Sequence, residues 1–149
     1  MKLVKDYMFS DITSVRENSS LGRVIKTMKL HRLMAIPVVD QNGNYVGCIA
    51  SQDILNASVP EYMKSMYNTS FMANLDQIII HLRGILNEEV IKFIDKSCPT
   101  VSPSDTMSFA ADLLYRHKKS ILPVVEGKNQ VGWISKIEIL SLSLNSDKE

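Results

Sequence analysis

The sequence predicts an α+β fold built twice over: two β-α-β-β-α units packed by pseudo-twofold symmetry, with a helical linker between them. Three observations carry this. The chain matches itself at an offset of 86 positions, and each copy alternates strand and helix periodicity in the same order. Its 149 residues suit one shared core, because a unit of roughly fifty residues buries too little surface to be stable alone.

At that offset Val4 falls on Val90, Val15 on Val101 and His31 on His117, and Pro37-Val38-Val39 falls on Pro123-Val124-Val125. One residue is lost in the following turn. At an offset of 85, Val46-Gly47 then meets Val131-Gly132, Ile49 meets Ile134, and Ile54-Leu55 meets Ile139-Leu140. An ordered series with a single gap in a turn marks a duplication.

Thr13-Ser14-Val15 opens the first unit as a short strand, and Ser19 or Ser20 caps the helix that follows. Leu21, Val24, Ile25 and Met28 recur on one helical face. In the second unit Ser104 or Asp105 is the expected cap, and Met107, Ala110, Ala111 and Leu114 form the face. Strands are expected over Ile36–Val39 and Tyr45–Ile49, joined by the hairpin signal Gln41-Asn42-Gly43-Asn44. Their counterparts are Leu122–Val125 and Val131–Ser135, across Gly127-Lys128-Asn129. A short helix closes each unit, through Asp53-Ile54-Leu55 and Glu138-Ile139-Leu140. The expected boundaries are repeat 1 at 1–58, linker at 59–87, repeat 2 at 88–144 and a polar, frayed tail at 145–149. In the linker Pro60 sits in a first helical turn, and Leu75, Ile78, Ile79 and Leu82 make a stripe ended by Gly84. Met63, Met66, Phe71 and Met72 precede that stripe, so core packing or dimer contact is its expected role, with a ligand lid as the lesser alternative.

Composition narrows the function by exclusion. Seventeen basic against 16 acidic side chains leave a net charge of +1, no field for nucleic acid or anionic membrane. Apolar runs such as Ile78-Ile79-Ile80 are far short of the ~20 residues a membrane helix needs, and Met1–Asp6 does not read as a secretory signal. Cys48 and Cys98 stand apart in sequence, poor material for a disulfide framework or zinc site, and fit a reducing cytoplasm. His31, His81 and His117 have no metal-like spacing, and no nucleophile or phosphate-loop motif is present, so the chain is not expected to be an enzyme.

The paired motifs resemble a tandem of cystathionine-beta-synthase (CBS) domains, a Bateman module. They are Val4–Met8, Ile36–Asp40 and Val46–Ile54, with Leu122–Glu126 and Val131–Ile139 in the second copy. The resemblance implies two clefts between paired sheets for an adenosine-containing ligand (AMP, ADP, ATP or S-adenosylmethionine), a regulatory role towards another protein, and a homodimer. It also implies a Ser/Thr-x-x-Asp signature after the third strand, with the hydroxyl on phosphate at the helix N-terminus and the carboxylate on the ribose diol.

Each copy keeps half of that signature. Ala50-Ser51-Gln52-Asp53 retains the acid and lacks the hydroxyl; Ser135-Lys136-Ile137-Glu138 retains the hydroxyl and carries a longer acid. Asp53, Ser135 and Glu138 can equally be helix-capping residues, and Lys136 is either a phosphate cation or a solvated side chain. By resemblance, Ile12, Thr13, Ile36 and Pro37 border the first adenine pocket, and Cys98, Pro99, Leu122 and Pro123 the second. Ordinary core and turn packing explains them as well. Lys118, Lys119 and Ser120 precede the second hairpin, where the family places phosphate-facing groups. The competing reading is a ligand-free interaction or dimerisation module with vestigial clefts and the Met-rich linker as its partner surface.

Overall fold

The computed structural model describes residues 1–10, 13–64 and 74–144. Strand β1 (Val15–Arg16) leads to α1 (Leu21–His31), the hairpin β2 (Ala35–Val39) and β3 (Tyr45–Ala50), and α2 (Ser51–Ser58). Two linker helices follow, α3 (Glu61–Lys64) and α4 (Leu75–Ile85). The second unit has α5 (Met107–Arg116), the hairpin β4 (Ile121–Glu126) and β5 (Asn129–Ser135), and α6 (Lys136–Ser141). Residues Met66, Phe71, Met72 and the tail from Asn145 lie outside the described residues, as does Ile12.

The duplication extends to fine geometry. β1 pairs in parallel with β2 through Val15 and Val38, and the equivalent Val101 bridges in parallel to Val124. Both hairpins shift register at the same place, after Val38 and after Val124, which leaves Val46 and Val131 as the extra residues of a bulge. Helices α1 and α5, the equivalent helices of the two units, each lead within two residues to a left-handed non-glycine residue, Arg32 (φ 56°) and Lys118 (φ 53°). Gly43 at φ 82° takes the positive-φ position of the first hairpin turn, where Asp40 Oδ1 accepts from the Asn42 and Asn44 N–H groups.

Two local expectations are corrected. Ser20 caps α1, but α5 is capped by Thr106, whose Oγ1 accepts from Phe109 N–H at 3.1 Å; Asp105 instead accepts from Ser102 N–H. Helix α4 runs through Gly84 to Ile85, because an isolated glycine weakens a helix without ending it. Met63 is 2% exposed and packs inward, one of the two roles expected of the linker.

Each unit has its own core, and each core is completed by the other unit. Val15, Leu21, Val24, Met28, Ile36, Val38, Ile49 and Ile54 surround Val90, with Phe93 and Ile94 against them. Val101, Met107, Ala110, Leu114, Leu122, Val124 and Ile134 surround Val4, with Tyr7 and Met8 against them. The exchange is pinned by backbone hydrogen bonds: Leu21 N–H to Glu88 O and Val90 N–H to Ser19 O on one side, Val4 N–H to Asp105 O and Met107 N–H to Lys2 O on the other. The entry segments at 4–8 and 90–94 therefore belong by packing to the opposite repeat from the one sequence similarity gives them.

Candidate functional site

Strand periodicity decides what the two sheets present to each other. Alternate residues point to opposite faces, so Ile36, Val38 and Ile49 enter the first core while Ala35, Pro37, Cys48 and Ala50 face the other sheet. Likewise Leu122, Val124 and Ile134 enter the second core, and Ile121, Pro123, Trp133 and Ser135 face the seam. Ala35, Cys48 and Trp133 are buried there as a third cluster, with Ala50, Cys98 and Ile121 around them. The expected pocket side chains of Ile36 and Leu122 are thus corrected: both are fully buried in the cores and turned away from the seam. A cleft of about 300 Å³ opens along the seam between Ser14, Pro37, Val39 and Gly43 of the first repeat and Asn129 and Gln130 of the second. That is the lower end of the range of small-molecule pockets, ~300–1,000 Å³.

The seam is held unequally. Phe9 and Trp133 exchange two backbone hydrogen bonds, 3.0 and 2.9 Å, whereas at the equivalent place Asp95 N–H reaches Cys48 O at 3.4 Å. Around this looser half gather Tyr45, Cys48, Cys98, Asp95, Lys119 and Asp53. Lys119 Nζ meets Asp95 Oδ2 at 3.0 Å, both side chains about a quarter exposed. The Ser97 hydroxyl, the Lys119 ammonium and the Ser97 N–H all donate to Asp95 and hold its carboxyl below the usual range. Burial pulls Lys119 down, but Asp95, Cys98 and Asp53 outweigh it and its pKa is raised. The Cys48 thiol donates to Cys98 Sγ at 3.4 Å; that bond, with Lys119, lowers the Cys98 pKa, while it and burial raise that of Cys48. Burial also raises the Tyr45 pKa.

The half-signatures both serve as caps. Asp53 Oδ2 accepts from Ala50 N–H at 2.8 Å, and Glu138 Oε1 accepts from Ser135 N–H at 2.8 Å and from its hydroxyl at 2.6 Å. A carboxylate has two oxygens and about four acceptor sites, so this leaves Asp53 capacity for a diol. Ser120, Ser135, Lys136 and Glu138 come together at the end of β5, where Lys136 N–H donates to Ser120 O at 3.0 Å. The Lys136 side chain is exposed and lines a different hollow, between α5 and α6 beside Tyr115 and Leu140. Thr13 and Pro99 are half-buried. Among the described residues no group of His, Cys, Asp and Glu has the makings of a metal site, and no helix is long and apolar enough to cross a membrane. Cys48 and Asp95 are the members of this cluster that the sequence does not single out, whereas Lys119 is named by the resemblance. Spacing gives no sign that a cysteine just after the entry segment and a post-helical lysine of repeat 2 meet β3 of repeat 1.

The CBS domain family model matches residues 4–60 and 82–145. The chain belongs to the CBS domain family. Its two matches make it a tandem pair with an internal repeat, the α+β architecture of a Bateman module. Homoserine O-acetyltransferase from Methanocorpusculum labreanum is 29% identical over 140 residues, 94% of this chain and 24% of the relative, so the chain spans about a quarter of that enzyme's length. A structure of CBSX2 in complex with AMP is similar with TM-score 0.72 and 19% identity, covering 97% of each chain. The CBS pair of protein MJ0100, in complex with 5'-methylthioadenosine and S-adenosyl-L-methionine, is similar with TM-score 0.68 and 19% identity, covering 96% of each. These likenesses show the fold.

Proposed function

We propose that this CBS pair is a non-catalytic regulatory module that takes an adenosine-containing metabolite into the seam between its repeats. One observation carries the reading: Asp53, tied at 2.8 Å to Ala50 at the end of β3, and Lys119 of repeat 2, paired at 3.0 Å with the Asp95 that bridges to Cys48 on the same strand, flank the loosely held half of the seam. In this reading Asp53 takes the ribose hydroxyls, and Lys119 takes a phosphate or carboxylate. Thr13 and Pro37 border a base in the first cleft, and Cys98, Pro99 and Pro123 border one in the second. The AMP complex of CBSX2 and the S-adenosylmethionine complex of MJ0100 support that ligand class. At the other end, Ser135 and Ser120 offer hydroxyls beside Glu138.

Binding acts on a partner only through its different affinity for two arrangements of the repeats, and the stretched 3.4 Å Asp95–Cys48 hydrogen bond, against the 3.0 and 2.9 Å pair of Phe9 and Trp133, marks the side of the seam that gives. Millimolar AMP, ADP, ATP or S-adenosylmethionine should raise the melting temperature, since a ligand at ~100 times its Kd stabilises by about 2.7 kcal/mol. Asp53→Ala and Lys119→Ala should blunt the rise. A flat response to all four ligands overturns the reading.

A second reading, assembly through helices, has its own observation. Ile137, Leu140 and Tyr115 are 66%, 63% and 84% exposed beside the α5–α6 hollow, while the corresponding face of α1 and α2 is shared with α4. A second copy of this chain, with cytoplasmic residence, completes the proposal; Leu140→Lys should then shift the mass in solution from dimer to monomer.

A further inference from the structure

We propose that Cys48 and Cys98 form a redox modification site, closing reversibly into a disulfide across the seam when a low-molecular-weight disulfide oxidises them. This inference does not depend on which metabolite the cleft takes. The chain's two cysteines are far apart in sequence, yet their sulfurs lie 3.4 Å apart, one on β3 of repeat 1 and one in the turn that follows the entry segment of repeat 2. A disulfide bond is about 2.05 Å long, so closure needs an approach of about 1.4 Å.

The surroundings allow that movement on one side only. Cys48 is 5% exposed and locked in the β2–β3 ladder opposite Pro37. Cys98 lies outside any strand or helix, in a turn where its N–H reaches Asp95 O at 3.3 Å and the Asp95 carboxylate ties Ser97. The two segments are joined there by the long Asp95–Cys48 contact of 3.4 Å, which can shorten or slip at little cost. In the other half of the molecule, Trp133 occupies the position of Cys48, so the thiol pair exists on one side of the seam alone.

The electrostatics divide the labour. Cys98 is half-buried and receives the Cys48 S–H, with the Lys119 ammonium nearby, so its thiolate is favoured. The Cys98 thiolate, its proton released to solvent, attacks one sulfur of the disulfide R–S–S–R; the Cys98–S–R bond forms and one RS⁻ leaves. Cys48 then gives its proton to solvent or to that RS⁻, its sulfur attacks Cys98 Sγ, and the second RS⁻ leaves. Two protein thiols are oxidised, one small disulfide is reduced to two thiols, and an excess of small thiol reverses both steps.

The test uses the reduced full chain, oxidised glutathione, a maleimide quench, denaturation and intact mass. Untreated protein should carry two maleimides. Glutathione-treated protein should carry none, lose the mass of two hydrogens and give a Cys48–Cys98 linked peptide, and dithiothreitol should restore both labels. In the folded reduced protein, Cys98 should react with maleimide at least ~10-fold faster than Cys48. Cys48→Ser should trap glutathione on Cys98, a readout that does not require Cys98 to be replaced. Two maleimides after oxidation, a wild-type chain that retains glutathione on Cys98, or a bond between two chains would each overturn the proposal.

Discussion

The two repeats use one scaffold and differ where they touch. Their cores keep the same periodic positions: Leu21, Val24 and Met28 answer Met107, Ala110 and Leu114, and Val90 in one answers Val4 in the other. At the seam the likeness ends. Trp133, doubly bonded to Phe9, fills one half with hydrocarbon. Cys48 leaves the other half loosely joined and ringed by Tyr45, Cys98, Asp95, Lys119 and Asp53. A core residue is constrained by every neighbour it packs against, whereas a seam residue must suit only the opposing strand. Duplication therefore preserves the cores and frees the seam to become one tight half and one polar half.

The hardest test of the exchange of entry segments is the cores themselves. Ile36→Ala and Leu122→Ala each remove a fully buried side chain and should each cost about 2–5 kcal/mol. Because each core contains a segment of the other repeat, both variants should lower one cooperative denaturant transition. Two separate transitions would show that the repeats fold as independent units.

A sharper contrast sits in the paired glycines of the seam strands. A Cβ on Gly132 would lie 2.7 Å from Phe9 O, a backbone atom fixed by two hydrogen bonds. A Cβ on Gly47 would meet only Ile94 Cδ1 at 2.9 Å, the movable tip of a side chain, but its backbone lies at φ +156°, which L side chains rarely adopt. Gly132→Ala should therefore cost about 1–3 kcal/mol through a clash with fixed backbone, and Gly47→Ala about 1–3 kcal/mol through backbone strain, measured as denaturant midpoints. Only the Gly132 cost should fall when the clash with Phe9 is relieved by removing residues 1–9; a Gly132 cost that survives would remove the distinction between a tight and a loose half. Smaller again is the cap difference. Ser135 Oγ accepts from Ile137 N–H at 3.2 Å and bonds Glu138, whereas Ala50 has no such group. Ser135→Ala should lose about 1 kcal/mol, and Ala50→Ser should gain up to about that amount.

Much of this was legible in advance because it is local or periodic. The offset repeat located every strand and helix of both units, and the Asn42-Gly43 turn announced its hairpin. Thr106 was missed as a cap because Ser104 and Asp105 carry the same signal within two residues, and only the backbone decides among them. The exchange of Val4 and Val90 between cores was hidden because a 3-10 turn has no period long enough to reveal its partner. At the site, period-two alternation separates Pro37 and Pro123, which face the seam, from Ile36 and Leu122, which enter the cores. The meeting of Cys48, Cys98 and Lys119 is tertiary, and no spacing encodes it.

The smallest expected effect tests whether the polar half is held by charge. Asp95 is depressed when folded, chiefly by the Ser97 hydroxyl and then by Lys119, so its contribution is present above the ordinary carboxylate range and is lost as pH falls through the folded value. The contacts are partly exposed, with side chains 27% and 26% accessible, and screened pairs of this kind are worth about 0.2–1 kcal/mol. Asp95→Asn should thus be less stable than wild type by that margin at pH 7. The gap should close towards pH 3, where the wild-type carboxyl is also losing its charge, and should narrow in 1 M salt at pH 7. A gap unchanged by acid and by salt would mean that Asp95 acts through the shape of its turn, and the seam's two halves would then differ in packing rather than in electrostatics.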